Sequence, residues 1–548
     1  MSGLKRFFWV MMLVVTATLT WAFTSNDFEL AKHLDIYYST VKEVLINYVD
    51  DVDAGEMIEN SIHGMLAKLD PYTNYIPENS LEDYKVMTTG EYGGLGAYFR
   101  QKDGKTYITE CYEDGPAAKA GLKPGDIILK VNEMDIFSRT YEELEDIFLG
   151  QPGTKINLEI QSPGVEGTRK LEVAREKIEM KSVPHYEIMG DGVAYINLSS
   201  FTTKAYAEVY GAFDEMKKSG KVKSLILDLR GNPGGLLMEA VRIVNLFVPK
   251  GQEVVSTRGK VSVHNKTFNT TSDPFDPEIP IVVLVNSQSA SASEIVAGCL
   301  QDLDRGVVLG TRTFGKGLVQ QTIDLSYNSK LKITTAKYYI PSGRCIQALD
   351  YSHKNPDGSV ASIPDSLTKV FYTKNGRPVK DGGGIVPDVI VNQDTLSALV
   401  IKLLQEDIIF DYVTQYSLKQ ASLAGPDVFV VNEGLFRDFS DYVRIQDFTF
   451  ESVSQKKFRE WKESLRAEGI YESEKNRLDE MEKIMVPNML SLLQKQRAQV
   501  EDELASELML RYYQKSGQIQ YIIHHDPMVQ SAMALLSDST KYQQVFRR

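Results

Sequence analysis

Cysteine is nearly absent: Cys111, Cys299 and Cys345 are the three in 548 residues. An odd number without metal-type spacing excludes a disulfide framework as what holds the fold together. Histidine is scarce as well, with seven residues scattered as His33, His63, His185, His264, His353 and the pair His524-His525, none of them in a motif. Successive helical residues face different directions, so the adjacent pair reads as solvated surface rather than a metal site. Basic residues are outnumbered 61 to 74, giving a net charge of −13. That balance excludes nucleic acid as a ligand, because phosphate backbones demand basic surfaces. No internal repeat is visible, and 43% hydrophobic with 25% charged residues is the composition of ordinary globular protein. The length exceeds any single core, so three or four units are expected.

The N-terminus is defined by two further absences. Behind Lys5 and Arg6, residues 7–22 are 16 positions without a charge, short for a spanning helix and suited to the apolar region of a secretory signal. There is no clean Ala-x-Ala before Phe23, which leaves an uncleaved anchor open, and no cysteine at the end of the run, which argues against a lipoprotein anchor. Export is the expectation.

What is present is a serine and a lysine set for chemistry with no histidine beside them. Ser289-Ala290-Ser291-Ala292-Ser293-Glu294 follows the apolar run 281–285, which reads as a parallel-sheet strand buried on both faces. From Ser293 onward Ile295, Val296, Cys299, Leu300 and Leu303 have helical spacing. Ser291 is therefore expected at a strand-to-helix turn, near the positive end of a helix dipole. After a second apolar strand at 307–309, the loop 310–317 delivers Lys316 between two glycines. A serine hydroxyl attacks poorly at neutral pH, and a lysine takes its proton only when its own pKa falls by about 3 units toward ~7–8. Burial among apolar groups supplies that fall.

A third junction has the same character. The strand-like run 225–229 enters Arg230-Gly231-Asn232-Pro233-Gly234-Gly235, a loop able to aim backbone amides outward. Acyl transfer needs two N–H groups directed at one point, one of them the amide after the nucleophile. Ala292 and Gly234 are the candidates.

Together with Gly383-Gly384-Ile385-Val386-Pro387-Asp388, these segments resemble the C-terminal processing (tail-specific) protease family, with all four motifs in the family's order. The resemblance implies Ser291 as nucleophile, Lys316, 25 residues on, as base, and Gln320 as the residue that orients the lysine. It also implies an α/β, crotonase/ClpP-like core of mixed sheet and helices, and no cofactor. Asp302 matches a family aspartate whose role reads as structural. Beyond Val391 the resemblance fades, and the charged, helix-patterned remainder reads as packed helices with a solvated face.

Upstream, Gly93-Gly94-Leu95-Gly96 before an apolar strand, followed by Gly121-Leu122-Lys123-Pro124-Gly125-Asp126, resembles a PDZ domain. In such domains the glycine loop's amides hold a peptide's terminal carboxylate while the peptide adds as a strand. Gly93, Gly94, Leu95 and Gly96 are thus the expected tail-binding residues. The helix-patterned stretch before it, with its Leu69-Asp70-Pro71-Tyr72-Thr73 turn, reads as a small bundle of a kind that makes dimer contacts in related proteases.

The expected organisation is a signal peptide or anchor over 1–23, a helical segment over 24–89, a PDZ domain over 90–178, a Ser-Lys protease core over 179–395 and a C-terminal helical extension over 396–548. The partners it implies are protein substrates held by their C-termini, with self-association and membrane association through the N-terminus left open. The location is exported and periplasmic, with or without an inner-membrane anchor. Two rival readings are weighed. Residues 310–316 match the first seven positions of a phosphate-binding P-loop, but Gly317 stands where a Ser or Thr must hold Mg²⁺, and a strand pattern follows where a helix is needed. A non-catalytic periplasmic scaffold that holds protein tails is the second, and it gives no reason for serine, lysine and glutamine to stand together at these spacings.

Overall fold

The computed structural model describes residues 27–355, 359–392, 395–446, 448–485 and 488–547. The expected signal or anchor over 1–23 lies outside them. Two compact units are present: residues 27–76 with 322–333, and residues 77–321 with 334–547. In the first, a helix over 27–47 precedes Ala54–Leu66, which Asp53 caps by accepting the Glu56 N–H at 2.8 Å. The Asp70 carboxylate folds the following turn by accepting the N–H groups of Tyr72 and Thr73, and Asn74–Ile76 then pairs antiparallel with residues 330–332. Among the described residues no helix is long and apolar enough to cross a membrane.

The second unit is built around a six-stranded sheet in the order His185–Met189, Val193–Asn197, Ser224–Asp228, Ile281–Val285, Val307–Gly310, Val389–Ile390. The first pair is antiparallel and the rest parallel. Strand period decides how it is covered, since successive side chains leave on opposite faces. Ile281, Val283 and Val285 point into a core shared with the helices Ala205–Lys218, Leu237–Val244 and Ala292–Asp302. Val282 and Leu284 point the other way, into a second core with Met528, Val529, Ala532, Tyr542 and Val545. The apolar run needed two covers, and the second comes from the end of the chain.

The helices that provide it belong to an all-helical region from Ala398–Gln405 to Ser539–Val545, with its own core of Val400, Leu403, Val413, Phe439, Val443, Val500, Leu504 and Leu508. Caps written in the sequence start several of its helices: Ser397, Asn432, Ser452 and Asp526 each accept a first-turn N–H. The extension thus packs on the sheet as well as on itself. His524, expected on the surface, bonds Glu187 at 2.7 Å, and His525 stacks on Tyr521. Tyr542 places its hydroxyl against the start of the central strand, accepting from Ile281 N at 2.9 Å and donating to Ile281 O at 3.0 Å. Tyr542→Phe removes both bonds and leaves the buried Ile281 N–H unpaired, and a thermal melt of the variant is expected to show a loss of about 1–3 kcal/mol.

A separate sheet follows the PDZ order, Ala97–Lys102, Lys105–Cys111, Ile127–Val131, Lys155–Gln161 and Arg169–Ala174, with the helix Tyr141–Phe148 started by a Thr140/Glu143 capping box. Ala97–Lys102 is its edge strand, and Phe99 stacks on Tyr141 with ring centroids 4.8 Å apart. The opposite face of this strand is tied to the helical region, Lys102 to Asp411 at 2.8 Å and Arg100 to Asp407.

Candidate active site

The three serines of the 289–293 segment are not equivalent. Ser289 is fully buried and donates its hydroxyl to Leu229 O at 2.8 Å, and Ser293, equally buried, donates to Asn232 O at 2.9 Å. Both hydroxyls fasten this turn to the neighbouring segment 229–235. Ser291, between them, is only partly buried and sits at φ 56°, ψ −111°, a conformation costly for a residue with a Cβ. Such strain at a strand-to-helix bend is how a fold holds a nucleophile forward. Ala292 is the first residue of the helix Ala292–Asp302, where an amide has no intrahelical acceptor.

The loop 230–235 comes close behind. A Cβ on Gly234, at φ 100°, would lie 2.7 Å from Ala290 O and 2.8 Å from the Ser291 Cβ, so only glycine permits this approach. The Gly234 N–H, however, donates to Asn232 Oδ1 at 2.8 Å, closing a turn within its own loop. Asn232 is wholly buried and its amide nitrogen donates to Leu198 O.

Lys316 is partly buried on the segment between Val307–Gly310 and Leu318–Asp324. Gly315, at φ 85°, would drive a Cβ to 2.4 Å from the Ala348 Cβ, so the segment 346–348 packs directly on the lysine loop. Gln320 lies in the following strand, and its Nε2 donates to Thr334 Oγ1 at 3.1 Å.

One residue joins these pieces, and the sequence alone gave it no role. Glu294 is fully buried in the first turn of the helix. Its Oε2 accepts from Ser291 N at 2.9 Å and from Lys316 N at 2.8 Å; its Oε1 accepts from Gly315 N at 2.7 Å and from Thr313 Oγ1 at 2.5 Å. A single carboxylate thus holds the backbone of the serine turn and of the lysine loop together. Burial pushes its pKa up to about 7, against the opposing pull of those four donors. Thr313 in turn accepts from Ile385 N at 2.6 Å, so the 383–388 motif braces the lysine loop from its other side. The signal for Glu294 was available, because Ser-x-x-Glu at 291–294 has capping-box spacing.

Asp302, at the far end of the same helix, is 2% exposed and pairs with the buried Arg344 guanidinium at 2.8 Å, which matches a structural role. In the PDZ region the glycine-rich segment is not all loop: Gly93 and Gly94 pair in a strand with Lys177 and Glu176. Leu95 and Gly96 make the turn into the edge strand, Gly96 at φ 67°.

Residues 192–357 match the family described as "Peptidase family S41", residues 107–162 a "PDZ domain" and residues 399–536 "Probable PDZ-protease, C-terminal helical domain". The chain is similar to the carboxy-terminal-processing protease of Bartonella bacilliformis, 38% identical over 62% of this chain and 77% of the relative. It is also similar to the carboxy-terminal processing protease CtpA of Bacillus subtilis, 32% identical over 73% of this chain and 86% of the relative. The chain belongs to the carboxy-terminal processing protease family. It is a serine-type peptidase of family S41 carrying a PDZ domain, and the scaffold reading falls away. Among solved structures, the photosystem II D1 C-terminal processing protease aligns at 25% identity over 66% of this carboxy-terminal processing protease and 88% of its own chain, with a TM-score of 0.36.

Proposed function

We propose that Ser291 is the nucleophile of this protease, Lys316 its general base and Gln320 the residue that orients the lysine. The observation that carries the reading is the Glu294 carboxylate, which accepts from the backbone of Ser291 and of Lys316 on the same oxygen. Two segments so far apart in the chain are locked to one atom where their side chains are needed together.

The chemistry follows from those positions. Ser291 Oγ attacks the scissile carbonyl carbon as Lys316 Nζ accepts the hydroxyl proton, and the carbonyl oxygen takes up the negative charge beside the Ala292 amide at the helix N-terminus. Gly234 joins Ala292 as a donor by exchanging its bond to Asn232 for one to the oxyanion. The tetrahedral intermediate collapses as Lys316 returns the proton to the leaving amine, and water, activated by the same lysine, then hydrolyses the acyl-enzyme. No metal or nucleotide enters these steps.

Substrates are the C-terminal tails of exported proteins. The tail adds beside the edge strand Ala97–Lys102, with its carboxylate at Gly93, Gly94, Leu95 and Gly96, the last two at the turn. The N-terminal segment directs export to the periplasm and keeps the chain at the membrane if it is retained. Phe28, Leu34 and Ile46, exposed on the first helix, suit contact with a second copy.

The test uses one unfolded protein ending in either an apolar or a charged residue. The full chain is expected to degrade the apolar-tailed form faster, and Ser291→Ala to bind it uncleaved. Equal rates for both tails contradict recognition through the PDZ domain, and continued cleavage by Ser291→Ala contradicts the nucleophile.

A further inference from the structure

The loop 230–235 is braced from a direction the chemistry above does not use. Arg230, at its start, is a partly buried guanidinium held by two carboxylates. Its Nε and Nη2 grip Asp228 at 3.0 and 2.6 Å, and its Nη1 reaches Asp526 Oδ2 at 2.5 Å. Asp228 ends the strand Ser224–Asp228 and also accepts the Tyr195 hydroxyl at 2.7 Å, so that half of the grip lies within the sheet. Asp526 comes from the C-terminal helical region, 296 residues away. It stands at the N-terminus of the helix Pro527–Ser537, where its other oxygen accepts Met528 N at 2.7 Å. Arg230 and Asp526 are each 12% exposed at the side chain.

We infer that Asp526 is a positioning residue for catalysis, clamping through Arg230 the loop whose Gly234 backbone forms the wall against Ser291. The clamp makes the C-terminal helical region a working part of the active site. The inference rests on the assignment of Ser291 as nucleophile. Four steps link the two ends: Asp526 fixes the guanidinium, the guanidinium fixes the loop's first residue, Asn286 fixes its second by accepting Gly231 N at 3.0 Å, and Asn232 O accepts Ala290 N at 3.0 Å from the serine turn itself. A loop released at its start is free to shift against a turn whose groups must be placed within fractions of an ångström.

Asp526 has two simultaneous duties, one for each oxygen, and an amide has only one oxygen to offer. Asp526→Asn keeps the helix cap, for which asparagine is as good as aspartate, and presents Arg230 with a donor in place of an acceptor. The control is His524→Ala, which cuts a different tie between the same helical region and the sheet, that to Glu187.

The experiment measures kcat and KM of the full chain on an unfolded protein with an apolar C-terminus, and amide exchange of residues 230–235 in the wild type, Asp526→Asn and His524→Ala. Asp526→Asn is expected to lower kcat by about tenfold to a hundredfold with KM within about twofold, and to raise exchange in the loop. His524→Ala leaves kcat and loop exchange as in the wild type. Wild-type kcat in Asp526→Asn overturns the inference, as does an equal loss in His524→Ala, which reduces the contact to domain docking. Exchange is also measured in the Ser291→Ala background. If Ser291→Ala still cleaves, the nucleophile assignment fails, while loop exchange unchanged by Asp526→Asn removes the clamp on its own.

Discussion

Lys316→Ala is expected to lower kcat for peptide cleavage by about 10⁴-fold while thermal stability and binding of the substrate tail stay as in the wild type. The size follows from the two turns proposed for the lysine in one cycle, base toward Ser291 and acid toward the leaving amine. The lack of a stability effect follows from how the loop is held. Its backbone is fixed by Gly315 N and Lys316 N on Glu294, and by the packing of Gly315 on Ala348, none of which involves the lysine side chain. Lys316→Arg is expected to fail nearly as badly, because a guanidinium does not give up its proton near neutral pH. Steady-state kinetics with a thermal melt on each variant make the check; substantial activity in either contradicts a proton-accepting lysine.

Glu294→Gln is the second large effect. The carboxylate faces four donors, from Ser291, Thr313, Gly315 and Lys316, and has none of its own to place. An amide substitutes an NH₂ group for one of the two accepting oxygens, so buried donors face a donor at a cost of about 1–3 kcal/mol for each one left unpaired. Both the serine turn and the lysine loop lose their shared anchor, and kcat falls by about 10²-fold or more. The pH behaviour separates this role from simple packing. Burial raises the pKa of Glu294 to about 7 from the ordinary 4.5, so ionising it costs more in the fold than in the unfolded chain. Stability linked to this group is therefore greatest below about pH 4.5 and falls as pH rises to about 7, a change of about 3 kcal/mol. Catalysis runs the other way, since only the ionised form accepts all four bonds. The wild-type rate is expected to rise through pH 7 while stability declines toward it. Glu294→Gln should flatten the stability slope and remove the acid limb of the rate; an unaltered limb with a midpoint near 7 would assign that limb to Lys316.

The serine-peptidase family was legible because strand ends, glycine loops and a serine-rich turn are local patterns whose order along the chain is itself a constraint. The run 281–285 has the pattern of a strand covered on both faces, and it is one. What covers its second face was not legible. Met528, Val529 and Tyr542 sit on helices whose charged positions resemble any solvated amphipathic surface, and their partners lie roughly 250 residues earlier in the chain. The same distance hid Asp526 and the bond from His524 to Glu187. Glu294 was missed for a different reason. It stands inside the serine motif, but three of its four donors come from the loop 313–316, and a carboxylate's partners across a fold leave no mark in its local sequence. At Gly234 the pattern pointed to an amide aimed outward, while its N–H turns to Asn232, a direction decided by an asparagine turn within the loop that local composition does not display.

The most direct measurement of a lysine-activated Ser291 is the rate of covalent labelling by a fluorophosphonate probe, followed by intact mass and peptide mapping in the wild type, Lys316→Ala and Ser291→Ala. A single adduct on Ser291 is expected in the wild type, slowed by orders of magnitude in Lys316→Ala and absent in Ser291→Ala. An adduct on any other residue, or equal labelling rates with and without Lys316, would contradict the mechanism at its root.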